Sequence, residues 1–88
     1  MGRSVSKPKL LLLTRPGCHL CEEFREELED AFPGRFELNE RCVDDQPDWS
    51  SRFGREIPVL LDSKGQPVSR TRLDVAAVGL LLRRKKAA

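Results

Sequence analysis

Long hydrophobic runs are missing from this 88-residue chain. The aliphatic stretch Leu10-Leu11-Leu12-Leu13 falls far short of the ~18 apolar residues a membrane-crossing helix needs. It is also too short for the core of a signal peptide, and no small-residue cleavage site follows it. The expectation is a cytoplasmic protein with no membrane partner. A dominant charge is missing too. The 16 Lys and Arg nearly balance the 14 Asp and Glu, which does not announce a nucleic-acid partner. Cysteine is scarce and odd in number, three in all, unlike the dense, even-numbered framework of a secreted disulfide scaffold. Histidine is limited to His19. There is no internal repeat.

What is present is an ordinary globular mixture, 39% hydrophobic and 34% charged. A chain of this length has room for one core, so a single domain over 1–88 is expected, with 1–8 and 84–88 as loose ends. Acidic residues outnumber basic ones 10 to 7 through residue 45; beyond it basic residues lead 9 to 4. The closing Arg83-Arg84-Lys85-Lys86 run suits a helix C-terminus, where the dipole favours cations.

Lys9 to Thr14 is apolar without alternation, as in a strand buried on both faces, and Arg15-Pro16-Gly17 stops it. From Cys18 the pattern becomes helical. Leu20, Phe24, Leu28 and Phe32 recur every fourth residue, with Cys21 and Ala31 on the same side and carboxylates elsewhere; Pro33-Gly34 ends the helix. Arg35 to Val43 reads as a strand with Phe36, Leu38, Cys42 and Val43 inward. A short helix opens at Gln46-Pro47-Asp48, pairs Trp49 with Phe53 and closes at Gly54. Glu56 to Asp62 is a strand, Ser63 to Gln66 a turn, and Pro67 to Arg70 another strand. Thr71-Arg72-Leu73-Asp74 matches a helix-start box, and Leu73, Ala76, Ala77, Leu80 and Leu81 mark the apolar face that follows. The order β-α-β-α-β-β-α implies an α/β fold. A right-handed parallel crossover in the first half and a hairpin in the second give a mixed four-stranded sheet with helices packed on its faces.

The chemistry concentrates at Cys18 and Cys21, where a buried strand and its turn give way to a helix. The first N–H groups of a helix have no intrahelical partner, and the dipole places positive charge there. A thiolate is stabilised over a thiol, so cysteines so placed titrate at roughly 3.5–7.5 instead of about 8.5. Cys18 is therefore the expected nucleophile, with His19 and Arg15 beside it to add to the effect. Cys21, one turn on and on the apolar face, is expected to be more buried. It suits the resolving role, attacking a mixed disulfide formed on Cys18.

Thr14-Arg15-Pro16-Gly17-Cys18-His19-Leu20-Cys21 after a buried strand, followed at a distance by Ile57-Pro58-Val59, resembles the glutaredoxin family of the thioredoxin fold. The likeness is greatest to its short bacterial glutaredoxin-like members, and it extends over about residues 9–83. The resemblance implies a thioredoxin-like fold, Cys18 as nucleophile, Cys21 as resolving cysteine and Pro58 as a cis-proline beside the pair. The Ile57 backbone would then be free to pair with an extended substrate. Arg15 stands where glutaredoxins place a basic residue that meets a glutathione carboxylate. Two features depart from the family. His19-Leu20 replaces the usual Pro-Tyr, and Ser69-Arg70-Thr71-Arg72 stands in place of a Gly-Gly-x-Asp segment. The Trp-Cys-Gly-Pro-Cys of thioredoxins is absent.

The expected activity is thiol–disulfide oxidoreduction, acting as a monomer on protein disulfides or glutathione mixed disulfides. No bound cofactor or metal is expected, and glutathione is a possible reductant or co-substrate. Two rival classes are a non-catalytic thioredoxin-fold binding module and a metal or iron–sulfur carrier. Zinc wants four ligands, and the chain offers one cysteine pair, Cys42, and a His19 lodged between the pair. Cys42 itself is expected to be a buried small hydrophobe, and Trp49 a core or loop anchor.

Overall fold

The computed structural model describes residues 7–86, with side chains through Arg83. Its elements follow in the order β1 (Lys9–Thr14), α1 (His19–Ala31), β2 (Glu37–Cys42), a 3-10 turn (Val43–Asp45), α2 (Pro47–Phe53), β3 (Val59–Leu61), β4 (Pro67–Arg70) and α3 (Val75–Lys86). The sheet order is β2-β1-β3-β4, so β2 and β4 are its edges. β1 pairs in parallel with β2, Leu10 opposite Leu38 and Thr14 opposite Cys42. It pairs antiparallel with β3, Leu13 opposite Val59. β3 and β4 form the antiparallel hairpin. This is the mixed four-stranded sheet that the sequence pattern predicts and the thioredoxin-like arrangement that the resemblance implies.

β1 is apolar throughout because its two faces serve two cores. Leu10 and Leu12 join Phe24 and Leu28 of α1, Leu60, and Val78, Leu81 and Leu82 of α3. Leu13 joins Val43, Phe53, Val59 and Leu61, with Leu11, Trp49 and Ile57 packed against them. Helices α1 and α3 thus cover one face and α2 the other. Trp49 anchors the second core, as expected.

Several expectations are corrected. Leu20 is 53% exposed instead of joining the α1 core face. A four-residue step advances about 40° around a helix, so Leu20 and Phe32 drift to opposite flanks of the stripe centred on Cys21, Phe24 and Leu28. Ala31, at the helix end, is exposed. β2 begins at Glu37 instead of Arg35, and Val43 leaves the strand to become a buried residue of the 3-10 turn. β3 is trimmed to three residues. Pro58 has no ladder donor, and the carbonyls of Glu56 and Pro58 instead accept from the Thr71 N–H at 3.0 and 2.7 Å.

Thr71 does not cap α3. Its N–H and hydroxyl are both engaged by Glu56, and its φ is +64°. The helix starts three residues later, where Asp74 Oδ1 accepts from the Ala77 N–H at 3.0 Å. Buried Ser69 prepares that start, donating to the Arg72 carbonyl and accepting from the Asp74 N–H at 2.8 Å. The buried face of α3 is consequently Val78, Leu81 and Leu82, while Leu80 is 57% exposed and Ala76 is exposed. At the ends, the expected loose segments lie in part outside the described residues. Inside them the Pro8 carbonyl already accepts from the Glu37 N–H at 2.9 Å, and α3 continues to Lys86.

Candidate active site

The site grows from the C-terminal end of β1. After Thr14 the chain turns at Pro16-Gly17, with Gly17 at φ +76°, and the Cys18 N–H donates to the Arg15 carbonyl at 3.2 Å. A glycine suits that left-handed conformation because it has no Cβ to clash. Cys18 is then the N-cap of α1, with extended φ and ψ, and its Sγ accepts from the Cys21 N–H at 3.1 Å. That contact is the one a thiolate needs. An otherwise orphaned donor of the first helical turn points at the sulfur.

Cys18 and Cys21 are joined in a disulfide, their Cα atoms 5.2 Å apart, within the usual span. Cys18 is partly exposed, whereas Cys21 is 5% exposed and sits in the α1 core face. The asymmetry of access expected of an attacking and a resolving cysteine is therefore present. His19 is exposed on the first turn and has no hydrogen-bond or ion-pair partner among the described residues.

Pro58 is buried and the Ile57–Pro58 peptide is cis. Because Leu13 faces Val59, the next step along each strand brings Thr14 and Pro58 to the same end of the sheet, the end that carries the cysteine loop. Ile57 is half-buried against the second core.

Arg15 is held by the protein itself. Its Nε donates to Asp44 Oδ2 at 2.9 Å and its Nη2 to Asp44 Oδ1 at 3.1 Å, a bidentate fork; Nη1 donates to the Gly54 carbonyl at 2.9 Å. Ser50 Oγ also donates to Asp44 Oδ1. These hydrogen bonds hold the Asp44 carboxyl below the usual aspartate range and the Arg15 guanidinium above its ordinary value.

Beside the disulfide lies an open depression of about 310 Å³. Arg15, Cys18, Cys21, Glu22, Arg25, Glu40 and Cys42 are among its walls. Arg25 and Glu40 pair across it at 3.0 Å. Cys42, expected in the core, is instead half-buried at the end of the edge strand β2 and shares this depression with the redox pair. Its thiol approaches Asp44 Oδ2 at 4.0 Å. Among the described residues no group of three His, Cys, Asp or Glu side chains is placed to hold a metal ion.

The model of the glutaredoxin-like domain (DUF836) matches residues 9–83. The chain belongs to this glutaredoxin-like family. Its fold is shared by protein Ne2328 from Nitrosomonas europaea, with a TM-score of 0.79 and 28% identity over 92% of this chain and 98% of that one. Protein XcR50 from X. campestris is also similar, with a TM-score of 0.66 and 29% identity over 85% of this chain and 96% of that one. No curated protein matches the sequence. A glutaredoxin-like domain with a paired C-x-x-C at a helix N-terminus is a thioredoxin-fold protein of redox type. No helix among the described residues is long and apolar enough to cross a membrane.

Sequence reasoning missed Asp44, Gly54, Arg25 and Glu40 as parts of this site. Arg15 meets Asp44 from 29 positions away and Gly54 from 39, so no local spacing signals either contact.

Proposed function

We propose that this glutaredoxin-like protein is a thiol–disulfide oxidoreductase of the cytoplasm, acting as a monomer on protein disulfides or glutathione mixed disulfides. In the reduced form the Cys18 thiolate attacks one sulfur of a substrate disulfide. A Cys18–substrate disulfide forms, and the other substrate sulfur leaves as a thiolate. The Cys21 thiolate then attacks Cys18 Sγ, forming the Cys18–Cys21 disulfide and releasing the second substrate sulfur. Two electrons pass from the dithiol to the substrate, and an external thiol such as glutathione returns them. No metal or organic cofactor enters these steps. Arg15, His19, Ile57 and Pro58 border the path by which substrate reaches Cys18.

The observation that carries the reading is the Cys21 N–H aimed at Cys18 Sγ, at the start of a helix and at an accessible position. The test is the pH dependence of alkylation of the reduced, metal-free protein, with each modified cysteine located by mass spectrometry. A Cys18 midpoint well below about 7.5, with Cys21 and Cys42 lagging, is expected. A midpoint near about 8.5 with no selectivity overturns the proposal.

A further inference from the structure

We infer that Asp44 is a resident carboxylate that keeps acidic small disulfides off Arg15, so that the centre selects protein disulfides over glutathione. The inference rests on the oxidoreductase reading and narrows its substrate. Arg15 is one of two guanidinium groups, with Arg25, that share the depression beside Cys18 with the redox pair. A guanidinium offers five N–H donors in a planar fork that suits a carboxylate. Here three of the five donors are already taken. Nε and Nη2 bind the two Asp44 oxygens, and Nη1 binds the Gly54 carbonyl. Asp44 is fixed in turn by Ser50 Oγ. The pair stays open to water, with Arg15 and Asp44 side chains 40% and 51% exposed, so an incoming carboxylate must displace Asp44 to take the bidentate edge of Arg15, and at the two remaining N–H groups it meets the Asp44 charge beside it.

The rest of the depression gives such a ligand no substitute. Arg25 is paired with Glu40 and also interacts with the Glu22 charge, so the second cation of the depression is already matched by carboxylates. Glutathione carries more carboxylate than ammonium groups and meets this arrangement as an anion. A disulfide on a protein chain brings peptide bonds where glutathione brings terminal carboxylates, and asks nothing of Arg15.

The experiment measures binding, not turnover. S-methylglutathione, which cannot exchange, and its dimethyl ester are titrated by NMR at low salt into the oxidised wild type, Asp44→Asn, Asp44→Ala and Arg15→Gln/Asp44→Asn. Circular dichroism checks that each variant is folded. Alanine also removes the one oxygen that asparagine keeps, so the two single variants guard against one of them failing to fold. The expected result is a gain of about fivefold for the acid relative to the ester in the single variants, the scale of one exposed ion pair, and loss of that gain when Arg15 is also replaced. An acid-to-ester ratio equal to the wild type's in both folded variants overturns the inference, as does a gain that survives Arg15→Gln. Reduction of the neutral 2-hydroxyethyl disulfide by wild-type protein separately tests the oxidoreductase reading. Failure there sinks that reading, while the binding ratio still decides whether Asp44 guards Arg15.

Discussion

Replacing Gly54 by alanine sets two opposed effects against each other, and the structure decides between them. Gly54 follows α2 with φ −55° and ψ −28°, ordinary right-handed values open to any residue. On backbone grounds alone, Gly54→Ala should stabilise the fold by about 0.4–1 kcal/mol, because alanine restricts the unfolded chain. The added methyl group, however, would stand 2.5 Å from the Ser50 carbonyl oxygen and 3.2 Å from Arg15 Nη2. The first neighbour is backbone and accepts the Gly54 N–H at 3.0 Å; it cannot retreat without weakening that bond. Overpacking of this kind costs about 1–3 kcal/mol, so the clash wins and a net loss of about 1–2 kcal/mol is expected. For a domain of this size each kcal/mol moves Tm by about 4–8 °C, and a fall of about 5–15 °C should appear in thermal and urea unfolding. Gly34→Ala is the control. Gly34 has φ +70° with nothing within 4 Å of an added methyl group, so it loses stability, about 1–2 kcal/mol, through backbone conformation alone. Only Gly54→Ala should also shift the pH midpoint of Cys18 alkylation, because only it displaces Arg15. A Gly54→Ala protein as stable as its parent would refute the reasoning.

Three further outcomes are expected. Cys21→Ser should accumulate a mixed disulfide on Cys18 when given a disulfide substrate, whereas Cys18→Ser should accumulate none; intact-mass spectrometry reads both, and equal trapping by the two variants would contradict the assigned roles. Leu28→Ala, at a fully buried position of the first core, should cost about 2–5 kcal/mol in urea unfolding, and a cost under about 1 kcal/mol would mean that α1 does not pack there as described. The Asp44 carboxyl is held low by its bonds to Arg15, so its stabilising effect is fully present above the ordinary aspartate value of about 3.9 and is lost as pH falls through the lower folded value. The gap in urea midpoint between wild type and Asp44→Asn should therefore close under acid conditions; a gap independent of pH would assign Asp44 another role.

The elements whose signals are local were legible. The β1 leucines, the Pro16-Gly17 stop and the C-x-x-C that follows placed the redox pair at a helix start, and the Ser63–Gln66 turn announced the hairpin. What was not legible depends on contacts between distant segments. The phase of α3 could not be read from Val75–Leu82, because nearly every position there is apolar; Ser69 and Asp74 set it by fixing where the helix begins. Thr71 looked like a cap, but Glu56, 15 residues upstream, takes both its donors. Cys42 looked like core by composition, yet it ends an edge strand whose register with Thr14 brings it to the cysteine loop. Arg15 read as a cation available to Cys18 or to a substrate carboxylate because its partners are far along the chain.

The leucine run of β1 has one more consequence. Sheet register is normally policed by side-chain alternation, since a slip of one residue turns a strand inside out. Leu10 to Leu13 offers no such policing, because a slipped strand would put leucine where leucine had been. The frame must be kept from outside the run, and the bolt at its C-terminal end is Arg15, fastened to Asp44 in the turn after β2 and to Gly54 at the end of α2. A residue of the chemical site therefore also tells a repetitive strand where to stop, and with it how far from the sheet Cys18 stands.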